Sequence, residues 1–329
     1  MGRSRKLAEL STVYDTSSLG FRNRIINGDC RIDQRNSGAG VGANNNFPID
    51  RWQARASATG KYNAQRNAGS VTPPSGFTNY LGATSLTAWS LTSGDYAAFE
   101  HRIEGFNVAD FAWGTVNAQT VTLSFRVYSS LTGTFGGAIG NDAFNRSYPF
   151  SYTVSAANTW TTISVTIPGD TTGTWEATNS TGIRVWFNLG SGSSYLGTAN
   201  TWAAAGLIGS TGSVSVVGTA GATFYITGVQ LEAGSVATPF EYRQYVQELA
   251  LCERYFERFE GFTVGSFPSG ANGYATWHMK ERKRVQPTVT FGAGSDITAT
   301  YGTYQDSVVV YRSGSHCVIA SGTTASAEL

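Results

Sequence analysis

Strict two-residue alternation of apolar and polar residues runs through several stretches of this chain and limits it to half-buried β-strands there. "TVTLSFRVYS" (120–129) puts Val121, Leu123, Phe125 and Val127 on one face. "TTISVTIPG" (161–169) repeats the pattern with Ile163, Val165 and Ile167 and stops at Pro168-Gly169. "GIRVWFNLGSG" (182–192) does the same with Ile183, Val185, Phe187 and Leu189. A period of two with one wet face is the pattern of an antiparallel sandwich or barrel. In "TFYITGVQLEAG" (223–234) the phase slips by one residue, from Phe224 and Ile226 to Val229 and Leu231, with Gly228 at the slip. An inserted residue in a β-bulge, with glycine tolerating the backbone, explains that slip.

Composition agrees with a β-rich chain. Only 14% of the 329 residues are charged, against about 25% in ordinary globular domains, while Gly numbers 39 and aromatics reach 13%. The net charge of +1 offers nucleic acid no basic surface. No apolar run is long enough to span a bilayer. "MGRSRKLAEL" has basic residues without an apolar run behind them, so a signal peptide is not expected. Cys30, Cys252 and Cys317 are odd in number and far apart, and are expected as buried free thiols in a chain folded in a reducing cytoplasm.

Four segments are expected. Residues 1–24 form an N-terminal segment too short for a core. Residues 25–243 form the β-sandwich, and 244–260 a helical connector. Residues 261–329, with strand-like "YATWHMKERKRVQPTVTFGAG" and "SVVVYRSGSHCVIASG", form a small C-terminal β-domain. In the connector "QYVQELALCERYFERFEG", apolar residues step by four and three through Tyr245, Leu249, Cys252, Phe256 and Phe259. That stripe either packs on its own domain or meets copies of itself in a parallel trimer.

Catalytic signals are sparse. His101, His278 and His316 have no metal-ligand spacing, and no GxSxG, P-loop or GxGxxG is present. Acids gather in two places, Asp29, Asp33 and Asp50, then Asp95, Glu100 and Glu104. They could supply a glycosidase pair or oxygen ligands for a structural Ca²⁺. No cofactor is otherwise expected. Trp89, Trp175, Tyr195 and Trp202 lie in loop-like stretches. Each could stack on a sugar ring or plug an end of the sandwich.

Three stretches together carry a family likeness. "RNRIINGDCRIDQRNSG" (22–38) followed by "DRW" (50–52), "FYITGVQLEAGSVATPFEYR" (224–243) and "ELALCERYFERF" (248–259) resemble jelly-roll modules of bacteriophage virion appendages. The stretch 173–206, "GTWEATNSTGIRVWFNLGSGSSYLGTANTWAAAG", is similar too. The resemblance covers about residues 22–259. It implies a carbohydrate-binding-module-like jelly roll, then the connector, then a small β-domain. It further implies a homotrimer in the virion, attached through residues 1–24 to other phage proteins and contacting host-surface glycans. No catalytic motif comes with it, and an enzyme is not expected. A head fibre or decoration protein without ligand, and a glycan-cleaving tailspike, are the alternatives.

Overall fold

The computed structural model describes residues 21–261, 263–266, 272–313 and 316–329. Most of the expected anchoring segment, residues 1–20, lies outside the described residues.

The strands of the first unit are β1 (Val41–Gly42), β2 (Asn46–Ile49), β3 (Trp52–Ala56), β4 (Tyr62–Arg66), β5 (Leu81–Ser85), β6 (Tyr96–Glu104) and β7 (Val121–Ser129). They continue as β8 (Gly133–Gly140), β9 (Ser147–Val154), β10 (Thr161–Ile167), β11 (Thr181–Ser191), β12 (Leu196–Gly197), β13 (Gly209–Ser210) and β14 (Thr223–Ala233). Two six-stranded sheets result, ordered β1-β4-β5-β14-β7-β10 and β2-β3-β6-β11-β8-β9. This is the expected all-β jelly-roll sandwich.

The alternation read from the sequence is what closes it. Val121, Leu123, Phe125 and Val127 of β7, Ile163, Val165 and Ile167 of β10, and Ile183, Val185, Phe187 and Leu189 of β11 all enter one core. Phe125 and Phe187 meet across the two sheets edge to face, 4.9 Å apart. Buried aromatics of this size dominate the packing. At Gly228 the register of β14 against β7 shifts between Thr227 and Gln230. Gly228 has φ +60°, and a Cβ there would come within 2.5 Å of the Phe77 ring. The expected bulge is present, and it demands glycine.

The connector is shorter than its sequence stripe. Helix α1 spans Tyr245–Glu253, and β15 (Phe256–Arg258) already pairs with β22 (Thr324–Ser326). Tyr255 and Phe256 are strand-favouring aromatics. The amide N–H of Arg284 donates to the carbonyl of Arg254, and Lys283 Nζ donates to that of Glu253, so the helix end is capped by the C-terminal unit. The five stripe residues therefore share no helical face. Tyr245 is exposed, Leu249 is half-buried, and Cys252 packs with Tyr255, Ile26 and Ile32. Phe256 lies under the Arg35 guanidinium at 3.6 Å, and Phe259 packs tilted against Trp277 with centroids 5.3 Å apart. The continuous seam expected for a trimer is replaced by contacts within the chain.

The last strands are β16 (Thr263–Ser266), β17 (Asn272–His278), β18 (Thr288–Thr290), β19 (Ala299–Thr303), β20 (Ser307–Ser313), β21 (His316–Ile319) and β22. They form small antiparallel sheets around Trp277, Val308, Val310 and Ile319. Buried ion pairs tie this unit to the sandwich. Glu328 meets Arg35 at 2.7 Å and also pairs with Arg51, while the connector is tied to the sandwich by Glu104, which takes Arg254 at 2.6 Å and the Tyr255 hydroxyl at 2.7 Å.

Candidate functional site

On the outer face of the first sheet, the polar phase of the alternation carries rings. Tyr128 of β7 lies opposite Tyr225 of β14, with parallel rings 5.3 Å apart. Tyr225 stacks on Tyr80 at 5.1 Å. Trp160, just before β10, closes the group at 5.4 Å from Tyr128 and 5.5 Å from Tyr80.

The loop before β5 holds these rings in place. The Tyr80 hydroxyl donates to the Ala68 carbonyl at 2.6 Å and accepts from the Val71 N–H at 2.8 Å. The Trp160 indole N–H donates to the Thr72 carbonyl at 2.9 Å. Gly69, at φ +67°, lets the loop pass over the Tyr225 hydroxyl, which a Cβ would approach to 2.7 Å. Burial pushes the Tyr80 phenol up to about 12 and raises that of Tyr225. Both rings are buried, whereas Tyr128 and Trp160 are half-buried and keep ring surface in water.

One repeat along β7, Arg126 stands between Thr227 of β14 and Thr162 of β10. Thr162 and Ser164 are exposed on the same strand face. A second aromatic group, Phe77, Phe240 and Tyr242, covers the Gly228 bulge with centroids 4.9–5.6 Å apart. Tyr242 is exposed, and its hydroxyl donates to the Gly76 carbonyl at 2.8 Å. Burial raises the Tyr242 phenol, and the positive charges of Arg126 and Arg31 act the other way. The face thus offers fixed rings with apolar surface, short hydroxyls and one guanidinium. That is chemistry for holding the CH face of a sugar while fixing its hydroxyls.

The structure brings together only two of the four aromatics that the sequence singled out. Trp175 and Trp202 meet Trp113 edge to face, at 4.7 and 5.4 Å, and each other at 5.6 Å. Their indole N–H groups are all taken inside the chain. Trp113 donates to Gln119, Trp175 to Asp170 and Thr172, and Trp202 to Pro168. Asp170 accepts a two-pronged bond from Arg146 at 2.7 Å, and Arg146 lies over Trp202. Burial opposes ionisation of Asp170, but Arg146 and Thr172 outweigh it and hold its carboxyl below the usual range. Trp175 and Trp202 are half-buried against the main core, with a small pocket beside Trp113, Trp175 and Glu176. This corner has the geometry of an end plug. Trp89 lies elsewhere, with Lys61 above its ring at 5.0 Å. Tyr195 packs on Tyr96 at 5.2 Å. Pro168 and Trp160 flank opposite ends of β10, so the plug and the tyrosine face are roughly 25 Å apart at a strand rise of about 3.3 Å per residue.

The acids are committed to structure. Asp29 pairs with Arg31, and Asp50 with Arg35. Asp33 accepts from the N–H groups of Asn36 and Gly38, and Asp95 from that of Thr92. Glu100 is fully buried among Arg55, Arg102 and Arg184. No group of three His, Cys, Asp or Glu among the described residues could hold a metal ion. Cys30, Cys252 and Cys317 are buried and free. Sequence reasoning passed over Tyr128, Trp160 and Tyr225, although an aromatic in the polar phase of a strand was the available signal.

No family model matches the sequence, and no curated protein matches it. Among solved structures, the enzymatically active domain of tailspike protein 4 of bacteriophage CBA120 is similar at 13% identity and TM-score 0.34, over 65% of this chain and 22% of that one. The family 11 carbohydrate-binding module of Clostridium thermocellum, solved with a β-1,3-1,4-mixed-linked tetrasaccharide, gives 13% and 0.30 over 61% and 99%. The tandem CBM22 domain of Paenibacillus barcinonensis Xyn10C gives 10% and 0.28 over 89% and 91%. The chain spans about a fifth of the length of that tailspike domain. The architecture above rests on this chain's own strand pairing.

Proposed function

We propose that this protein is a non-catalytic, saccharide-binding component of a bacteriophage particle, and that it binds through the outer face of the first sheet. The observation that carries the binding role is the row Tyr225–Tyr128–Trp160, in which the half-buried rings of Tyr128 and Trp160 are backed by the buried rings of Tyr225 and the hydrogen-bonded Tyr80. Preorganised aromatic surface costs little to order on binding, which favours stacking of a sugar. The likeness of residues 22–259 to virion appendages supports the phage setting. Attachment through residues 1–24 and assembly as a homotrimer belong to the same reading, with host-surface glycan as the partner. Light scattering should then give the mass of three chains, and a single-chain mass removes the trimer.

The binding role is tested on a glycan array with purified protein. Trp160→Ala and Tyr128→Ala should each lower binding on the order of tenfold, as loss of one stacked ring of about 1–1.5 kcal/mol implies. Both variants should remain folded by near-UV circular dichroism. Unchanged array binding in both would overturn the assignment of this face.

A further inference from the structure

Charge is scarce in this chain, and almost all of it is spoken for. Every other Lys and Arg among the described residues has a hydrogen-bond, ion-pair or aromatic partner, from Arg22 on Thr238 to Arg312 on Asp296. The guanidinium of Arg126 has none. It is half-buried on the outer face, and its cross-strand neighbours Thr227 and Thr162 carry no charge. The Thr227 hydroxyl is already given to the Asn79 carbonyl.

The position of this cation is as telling as its lack of a partner. Arg126 is two residues from Tyr128 on one strand, so their side chains leave the same face about 6.6 Å apart. A pyranose ring stacked on Tyr128 or Trp160 brings a carboxylate on that ring within reach of the guanidinium. The planar fork of Arg matches a carboxylate with two parallel N–H···O bonds, and the partly dry sheet face strengthens such a pair.

We infer that the face selects carboxylate-bearing saccharides, of the hexuronic or sialic acid type, through Arg126. The inference rests on the saccharide-binding role proposed above and adds the class of sugar. Thr162 and Ser164, exposed beside Arg126, supply hydroxyls for the rest of the ring.

Calorimetric titration of the full chain separates the two ideas, using matched probes. The pairs are oligogalacturonate with its methyl ester, and sialyllactose with lactose. Within at least one pair the acidic member should bind about tenfold tighter, the scale of one charged hydrogen-bonded contact. Arg126→Gln should erase that preference, bringing the acidic member down to the affinity of its neutral counterpart measured on the same variant, while Arg126→Lys should restore part of the preference. Equal binding of acid and neutral members, or a preference that survives Arg126→Gln, overturns the inference and leaves the saccharide role standing. A sulfated sugar bound in preference to every carboxylate also overturns it. No binding to any probe, acidic or neutral, counts against both.

Discussion

Trp113 shows how a single side chain decides between plug and platform. It is buried beneath Trp175 and Trp202, and all three indole N–H groups bond inside the chain. Removing a buried indole costs the transfer energy plus the cavity, so Trp113→Ala should destabilise by about 3–5 kcal/mol. Trp175→Ala and Trp202→Ala should cost less, because both rings are half-buried, and should leave array binding intact. Urea melts and the same glycan array check both statements. A folded Trp202→Ala variant that binds no sugar would return the site to that corner. At this scale the sequence was half legible. It marked Trp175 and Trp202 as aromatics in loops, but a loop position does not reveal whether an N–H is satisfied. Tyr128 and Tyr225 sat in the polar phase of strands already recognised, between residues read only for their core face.

Among the elements, the alternating strands were legible because burial on one face leaves a period-two trace that no other structure produces. The bulge was legible for the same reason, since one extra residue in β14 shifts that trace at Gly228. The connector was not. Its four-three stepping is satisfied by α1 for nine residues, after which β15 pairs with β22. Strand pairing with a segment some seventy residues away in sequence is a tertiary contact, and local periodicity does not encode it. Tyr245 stays exposed, and the other apolar residues of the stripe find burial in three separate places. The pairing of Tyr128 with Tyr225 is non-local in the same way, since β7 and β14 are sequence-distant neighbours joined only in the sheet.

On the scale of the whole molecule, the C-terminal unit is held to the sandwich by charge in a dry setting. Burial opposes ionisation of Glu328, but Arg51 and Arg35 outweigh it and hold the carboxyl below the usual 4.5. A depressed folded value means that the pair stabilises fully above about 4.5 and loses its contribution as pH falls through the folded value. Asp50 works against this, because its burial raises its carboxyl and favours the protonated form in acid. Glu328→Gln leaves Arg51 without its carboxylate partner and should cost about 3 kcal/mol at pH 7. The gap between wild type and variant should narrow progressively as pH falls below about 4.5, as measured by denaturant titration. A gap independent of pH would show that Glu328 is not the group that carries the contact.

Glycan recognition by the outer face of the first sheet would be seen in a crystal structure of the protein soaked with the best sugar from the array. A sugar ring should lie against Tyr128 and Trp160, with its polar groups toward Arg126, Thr162 and Ser164. A sugar bound instead on Trp175 and Trp202, with the tyrosine face empty, would contradict it.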